Sequence, residues 1–110
     1  MRARIRQLIP TSIVGCLMLT TAVQAQTDAA KTYKTNCELC HGPDGSGNTG
    51  PGKAFHAQDL RSPDTQKQSD AALMEVITKG RGKMPAFGAK LKPGDTTNLV
   101  AYLRTLAAKK

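Results

Sequence analysis

The sequence has few of the residues that fill protein cores. It contains no tryptophan, two phenylalanines and two tyrosines, so 4% of its 110 residues are aromatic. Cysteine and histidine, the usual ligands of transition metals, number three and two. A domain of this size buries a modest apolar core and often depends on an added stabilising group. The composition therefore favours a small domain that completes its interior with a cofactor.

Charge and hydropathy divide the chain near residue 25. Three arginines in the first six residues precede an apolar stretch over residues 8–19, and Val23 and Ala25 are small residues suited to signal peptidase. We predict a cleaved secretory signal over residues 1–25 and one domain over residues 26–110, located in the periplasm. Cleavage would lower the formal charge of the chain from +8 to +5 by removing the three arginines.

Two alternatives to a cleaved signal stay open. Ile13-Val14-Gly15-Cys16 resembles a lipoprotein box, although the chain remains apolar after Cys16. The uncharged residues 7–27 could also stay attached as a membrane anchor, but Pro10 and several threonines weaken this stretch as a span.

The main chemical signal is Cys37-Glu38-Leu39-Cys40-His41. Two thiols three residues apart, followed directly by a histidine, are typical of covalent attachment of a c-type haem. Residues i and i+3 share one face of a helical turn, so Cys37 and Cys40 can reach the same flat ligand. We predict one haem c, held by two thioethers, with His41 as an axial ligand of its iron.

Other uses of this motif fit the sequence less well. A zinc site needs four ligands, and only His56 lies beyond the motif in residues 26–110, at an awkward spacing. A thioredoxin-like dithiol lies in a βαβ unit, and no strand-like segment is visible here.

Residues 42–52 contain five glycines and are predicted to form a loop. The Gly-Lys-Ser/Thr ending of a phosphate-binding loop is absent. Pro51 has no N–H, but its carbonyl is a candidate acceptor for the second ring N–H of His41, which would set the tautomer of that histidine.

Met84 is the candidate for the second axial ligand. It lies in Gly82-Lys83-Met84-Pro85, outside any apolar helix stripe. A thioether is a soft, neutral ligand that favours ferrous iron. Taken alone, Met84 would be an ordinary packing residue, and the haem motif upstream favours the ligand interpretation. Met74, on a predicted helix, and His56 are the rival ligands.

The periodicity predicts three longer helices, over residues 27–40, 70–79 and 92–108, the first capped by Thr27 or Asp28. Residues 59–67 have no clear period and are predicted to wrap one edge of the haem. The predicted buried residues are Ala29, Tyr33, Cys37, Leu73, Val76, Ile77, Leu99, Tyr102, Leu103 and Leu106.

These features together resemble the class I, single-haem c-type cytochromes of the short bacterial kind. The matching features are Tyr33 before Cys37, the run Cys37-x-x-Cys40-His41-Gly42-x-Asp44-Gly45, Gly50-Pro51, Lys83-Met84-Pro85-Ala86-Phe87, and Leu99-x-x-Tyr102. The resemblance implies an all-α cytochrome c fold of three to four helices wrapped around one covalent haem. It also implies that the terminal helices cross at Tyr33 and Tyr102 and that His41 and Met84 ligate the iron.

The chain departs from that family at two points. Ala29 stands where a glycine is usual at the helix crossing, which implies slightly wider helix spacing. Many members also place a tryptophan near a haem propionate, and this sequence has none.

The resemblance implies a monomeric, one-electron carrier that is not an enzyme and does not bind nucleic acid. A cytochrome subunit docked permanently on a dehydrogenase or oxidase, and a haem enzyme or sensor with an open iron site, are the alternatives. Basic residues cluster in sequence around Met84, either as a solvated face or as a surface that steers acidic redox proteins such as a terminal oxidase or dehydrogenase. They are Lys79, Arg81, Lys83, Lys90 and Lys92.

Overall fold

A computed structural model describes residues 19–109, which are helical and contain no β-strand. The predicted arginine-rich leader and the Cys16 lipoprotein box lie outside this range, as does most of the predicted apolar stretch. The helices are α1 (Leu19–Asn36), α2 (Glu38–His41), α3 (Gly50–Ala54), α4 (Pro63–Gln66), α5 (Asp70–Lys79) and α6 (Asp95–Leu106), followed by a 3₁₀ turn (Ala107–Lys109). The predicted all-α class is confirmed.

Helix α1 starts earlier and ends earlier than predicted. The Thr27 hydroxyl donates to the carbonyl of Val23 at 2.9 Å, one turn back, so Thr27 lies inside the helix and does not cap it. The residues before Thr27 extend the helix by about two turns, because their carbonyls accept hydrogen bonds from the residues that follow. At its other end α1 stops at Asn36, and a new turn closes when the His41 N–H donates to the Cys37 carbonyl at 2.9 Å.

Two short helices occupy stretches that were predicted to be irregular. In α3 the Thr49 side chain accepts from the Gly52 N–H at 2.9 Å, and in α4 the Ser62 side chain accepts from the Thr65 N–H at 3.3 Å. Each helix has a proline in its first turn, where the missing N–H has no cost. Four or five residues are too few to show a helical period in sequence, so only the capping residues indicate that these helices form.

The prediction for α5 is confirmed at both ends, and that for α6 is corrected. Ser69 caps α5 by accepting from the Ala72 N–H at 3.1 Å, and Gly80 ends it. Helix α6 begins at Asp95 and not at Lys92, because Gly94 takes a left-handed conformation with φ of 87° that interrupts any helix before it.

The terminal helices pack across each other as the resemblance implied. The rings of Tyr33 and Tyr102 lie with their centroids 5.1 Å apart, and Ala29 is buried one turn earlier on α1. The buried core consists of Tyr33, Leu60, Leu73, Ile77, Leu99, Val100, Leu103 and Leu106. None of the helices within residues 19–109 combines the length and apolar character needed to cross a membrane.

Candidate functional site

A cavity of about 500 Å³ opens beside this core. Leucines and isoleucine of the core form much of its wall, while Cys37, Cys40 and His41 of the motif and Met84 of the distant loop also line it. The volume lies in the usual range for sites that bind small molecules and cofactors, and such sites are mostly apolar. The fold therefore brings all four sequence-predicted haem-binding side chains to one cavity.

The two cysteines of the motif are free, partly buried thiols. Burial, with a smaller contribution from neighbouring Cys40, raises the pKa of the Cys37 thiol to about 11. Redox-active dithiols instead have a cysteine whose pKa is lowered, so Cys37 does not resemble one. Within residues 19–109 no group of three or more His, Cys, Asp or Glu side chains is arranged to hold a metal ion.

The ring of His41 is oriented by a main-chain carbonyl, but not by the one predicted. Its Nδ1 lies 3.0 Å from the carbonyl oxygen of Gln58. The Pro51 prediction is wrong, because Pro51 belongs to α3 and its carbonyl accepts from the Phe55 N–H at 2.9 Å. The identity of the carbonyl partner depends on how α3 turns, which the sequence pattern did not reveal.

The hydrogen bond to Gln58 decides which nitrogen of His41 is available. A carbonyl oxygen only accepts, so Nδ1 carries the proton and Nε2 keeps a free lone pair, the form that binds metals. Burial lowers the pKa of His41, and the bond to the Gln58 carbonyl opposes that shift in part. The neutral, ligand-competent imidazole is therefore favoured.

Residues after the motif hold α2 in place. The Thr49 hydroxyl lies 2.9 Å from the carbonyl oxygens of both Leu39 and Cys40. Gly52 packs so closely on the main chain of Cys40 and Gly47 that a side chain there would collide with both carbonyls. Thr49 and Gly52 were not singled out as site residues, although a threonine before Gly-Pro is a recognisable helix-capping signal.

Met84 is partly buried and packs against the core. Two main-chain hydrogen bonds of 3.0 Å join it to Arg81 and close a tight turn around Gly82. Of the two rival ligands, Met74 on α5 is absent from the cavity lining, whereas His56 lines the cavity and is exposed. His56 also takes an uncommon left-handed conformation with φ of 54°.

The mouth of the cavity has an apolar and a basic part. Leu39 and Phe55 both line it with 73% and 51% of their surface exposed. Arg81, Lys83 and Lys90 of the predicted basic cluster also line it, and we call these three residues the basic rim. The other two members differ: Lys79 pairs with Glu75 at 3.0 Å, and neither Lys79 nor Lys92 lines the cavity.

The residues present fit a covalently attached haem. Two partly buried thiols, one imidazole with a free Nε2 and one thioether share a single apolar cavity, and this donor set matches the attachment points and axial ligands of a c-type haem. Because the sequence has no tryptophan, no indole N–H is available to a propionate, while the polar groups in the lining include Gln68 and His56.

Comparison with known families finds a model that matches most of the chain. A family model described as cytochrome c oxidase, cbb3-type, subunit III matches residues 24–103, which include both motif cysteines, His41 and Met84. Among solved structures, the KustC0563 c-type cytochrome is 32% identical, with a TM-score of 0.65, and the match covers 71% of this chain and 95% of that one.

Relatives of two kinds are similar in sequence. Cytochrome c6 of Microcystis aeruginosa is 33% identical over 82 residues, covering 74% of this chain and 98% of the relative. Cytochrome c6 of Picosynechococcus sp. is 33% identical over 79 residues, covering 67% of each. The cbb3-type cytochrome c oxidase subunit FixP of Azorhizobium caulinodans is 34% identical over 93 residues. That match covers 80% of this chain but 31% of FixP, so the chain spans about a third of that relative.

Proposed function

The chain belongs to the c-type cytochromes, within the family described as cytochrome c oxidase, cbb3-type, subunit III, and from this premise we propose that it is a periplasmic one-electron carrier. As a c-type cytochrome it carries covalent haem c and transfers electrons without catalysing a reaction of its own. What we propose beyond this is which residues hold the haem, in which compartment the protein works and with which proteins it exchanges electrons.

One observation carries the proposal: Cys37, Cys40, His41 and Met84 line the same cavity. In this assignment Cys37 and Cys40 would hold the haem through two thioethers, and His41 would offer Nε2 to the iron while the Gln58 carbonyl holds Nδ1. Met84 would offer its thioether sulfur as the second protein ligand. When bound, the haem supplies an iron that exchanges a single electron.

This ligand set supports a carrier, since ligation by both His41 and Met84 would leave no position on the iron for a substrate. The buried side chains of Leu60, Leu73 and Leu99 make this part of the cavity wall apolar and exclude water from it. A dry, rigid environment around a haem lets the electron transfer with little rearrangement of the surrounding atoms. The exposed side chains of Leu39 and Phe55 mark where the cavity reaches the surface, and electrons would pass there.

The basic rim supports an acidic redox protein as the partner. The side chains of Arg81 and Lys83 make no ion pair or hydrogen bond with any other described residue, so their charge is available to a partner. Surface charge of one sign speeds encounters with a partner of opposite sign and makes them sensitive to salt. A terminal oxidase or a dehydrogenase with an acidic docking surface fits this description.

The periplasm is supported by the leader. Three arginines, an apolar stretch and a small residue at position 25 are typical of a cleaved secretory signal, and haem attachment to Cys-x-x-Cys-His suits an exported domain. We propose that residues 1–25 are removed and that residues 26–110 form the mature protein.

A docked subunit of an oxidase is the second candidate, and the family description together with FixP is the observation that favours it. This chain covers nearly all of one cytochrome c6 but about a third of FixP, so it corresponds to one haem domain of such a subunit. Gel filtration of protein purified from its native host distinguishes the two, because a carrier elutes alone and a subunit elutes with its complex.

The test uses holoprotein matured in the periplasm, with Met84→His, Met84→Ala and the matched variant Met74→Ala. Haem should remain on the wild-type polypeptide through acid-acetone extraction and denaturing electrophoresis. Met84→His should lower the reduction potential, since imidazole stabilises ferrous iron less than a thioether does. Met84→Ala should allow carbon monoxide to bind the reduced protein, whereas Met74→Ala should not.

Two results would contradict the assignment. Release of haem on extraction would exclude the thioethers at Cys37 and Cys40. If Met84→Ala behaves like Met74→Ala, Met84 is not the ligand, and the same measurements on His56→Ala would then test the remaining histidine of the lining.

A further inference from the structure

The segment that carries Met84 folds back on the end of α5 through main-chain hydrogen bonds. We call residues 80–88 the Met84 loop. Its Phe87 N–H donates to the Ile77 carbonyl at 2.9 Å, and its Gly88 N–H donates to the Thr78 carbonyl at 3.1 Å. The last carbonyls of a helix have no partner within that helix, so these two bonds satisfy the end of α5. The loop and the helix end therefore form one unit.

Gly80 lies where this unit is most tightly packed. A Cβ at this position would lie 2.7 Å from the Met84 carbonyl oxygen and 2.9 Å from both the Pro85 carbonyl carbon and the Ala86 nitrogen. All three are main-chain atoms, which cannot turn aside as a flexible side chain does. Gly80 also has φ of 74°, a conformation that suits glycine. A side chain here would have to push the main chain of Met84 away from α5.

Gly82, two residues later, provides the contrast. Its φ of 58° is also positive and it lines the cavity, yet a Cβ built on it has no protein neighbour within 4 Å. An alanine would bear a conformational cost at both positions, and a larger one at Gly80, whose ψ of 172° lies in a region that is essentially restricted to glycine. Only at Gly80 would the alanine also meet the main chain of Met84. Gly82 therefore controls for a strained loop glycine without close packing on Met84.

We propose that Gly80 is a positioning residue for the Met84 thioether. Because it has no side chain, the main chain of residues 84–86 closes onto the end of α5, and this contact sets how far the Met84 side chain enters the cavity. The inference rests on the proposed ligation by Met84. It adds that the strength of this ligation depends on a residue that touches neither haem nor partner.

The experiment compares Gly80→Ala, Gly82→Ala and wild type as matured holoproteins. The readouts are the weak red-region sulfur-to-iron absorption band of the ferric protein, the reduction potential, carbon monoxide binding to the reduced protein, and the denaturant midpoint. Gly80→Ala should lose most of the band, lower the potential and bind carbon monoxide at least about tenfold more tightly than wild type, a difference of about 1.4 kcal/mol in binding free energy. Gly82→Ala should change the band and the potential less than Gly80→Ala does, even where its denaturant midpoint falls by as much.

If Gly80→Ala cannot be obtained as a folded protein with haem attached, a milder variant provides the same test. Gly88 belongs to the same loop, and a Cβ there would lie 3.0 Å from the Thr78 carbonyl oxygen, a contact that a small movement relieves. Gly88→Ala should shift the band and the potential in the same direction as Gly80→Ala, but by less.

The inference is overturned if Gly80→Ala, or Gly88→Ala in its place, matches Gly82→Ala in both band and potential. Wild-type protein without the band would overturn the proposed ligation by Met84 and this inference together. The band of the wild type therefore tells the two failures apart.

Discussion

The orientation of the His41 segment depends on hydrogen bonds to two main-chain carbonyls. The Gln58 carbonyl accepts from the His41 ring at 3.0 Å, and the Gly42 carbonyl, one residue after His41, accepts from the Tyr33 hydroxyl at 2.6 Å. Tyr33 is 1% exposed, and burial, with smaller contributions led by Cys37, raises its pKa well above the usual range. The hydroxyl therefore stays protonated and serves as a permanent donor, a role beyond the packing function predicted for this residue.

Tyr33→Phe should lower the free energy of unfolding by about 2 kcal/mol, because the buried Gly42 carbonyl would lose its partner. Chemical denaturation of the holoprotein measures this value. Tyr102→Phe is the matched control: its ring packs on Tyr33, but its hydroxyl makes no hydrogen bond to any described residue, so its cost should be small.

The pH dependence of the same variant adds a second readout. Tyr33 has a folded-state pKa above its unfolded value of about 10, so its contribution is complete below that pH. As pH rises further the unfolded chain loses the proton first, and stability falls. Wild type should therefore lose stability above about pH 10 more steeply than Tyr33→Phe does. Equal slopes, or equal stabilities of the two phenylalanine variants at neutral pH, would show that the hydroxyl has no such role.

Among the helices, α6 is tied to the connection between α4 and α5 by Arg104. Its guanidinium donates to the Gln66 carbonyl at 2.7 Å, to the Gln68 carbonyl at 2.6 Å and to the Asp70 carboxylate at 2.7 Å. The planar fork of arginine reaches these acceptors at once, which the single ammonium of lysine cannot do. This contact supports the wall of the cavity formed by residues 60–73.

Arg104→Lys should lower the free energy of unfolding by about 1–2 kcal/mol, since it keeps the charge but loses at least one charge-assisted bond to a main-chain carbonyl. Asp70→Asn is the control: it removes the charge of an ion pair whose carboxylate is 72% exposed, together with a favourable charge at the start of α5, and should cost about 0.5–1 kcal/mol. Denaturant titration of both variants, with haem bound, measures the difference. Equal losses would mean that the ion pair, and not the carbonyl bonds, accounts for the contribution of Arg104.

The helices also show what sequence pattern can and cannot predict. Helix α5 was predicted correctly at both ends because Ser69 and Gly80 flank a clear apolar stripe. Helices α3 and α4 were missed because so few residues carry no period. The error at Pro51 follows from the first miss: once α3 forms, the Pro51 carbonyl is used within the helix, and Gln58 becomes the partner of His41. Local motifs revealed the donor set, while main-chain contacts around it required the fold.

Over the whole molecule, the charge that we propose acts on partners is that of the basic rim at the cavity mouth. Replacing Lys83 and Lys90 with glutamate should slow electron transfer to an acidic partner at low salt and flatten or reverse the salt dependence of the rate. Stopped-flow kinetics at several ionic strengths measures this. The matched control replaces Lys31 and Lys34 with glutamate. Both are exposed on α1 and absent from the cavity lining, and their replacement changes the net charge by the same amount.

Both double variants should keep the absorption spectrum of wild type, because none of these four lysines is assigned to the haem. If the rim variant and the α1 variant slow the reaction equally, only net charge matters and the rim has no special role. A partner that reacts with both variants as fast as with wild type at low salt would show that these lysines are simply solvated.

We propose that His41 and Met84 both ligate the haem iron, leave it no free site and so make this chain an electron carrier. The decisive measurement is the absorption spectrum of the matured wild-type protein, recorded in both oxidation states and again after carbon monoxide is added to the reduced form. We expect a red-region sulfur-to-iron band in the ferric protein at neutral pH and a reduced spectrum that carbon monoxide leaves unchanged. A ferric spectrum without that band, or ready binding of carbon monoxide, would contradict it and would favour an open-site haem protein.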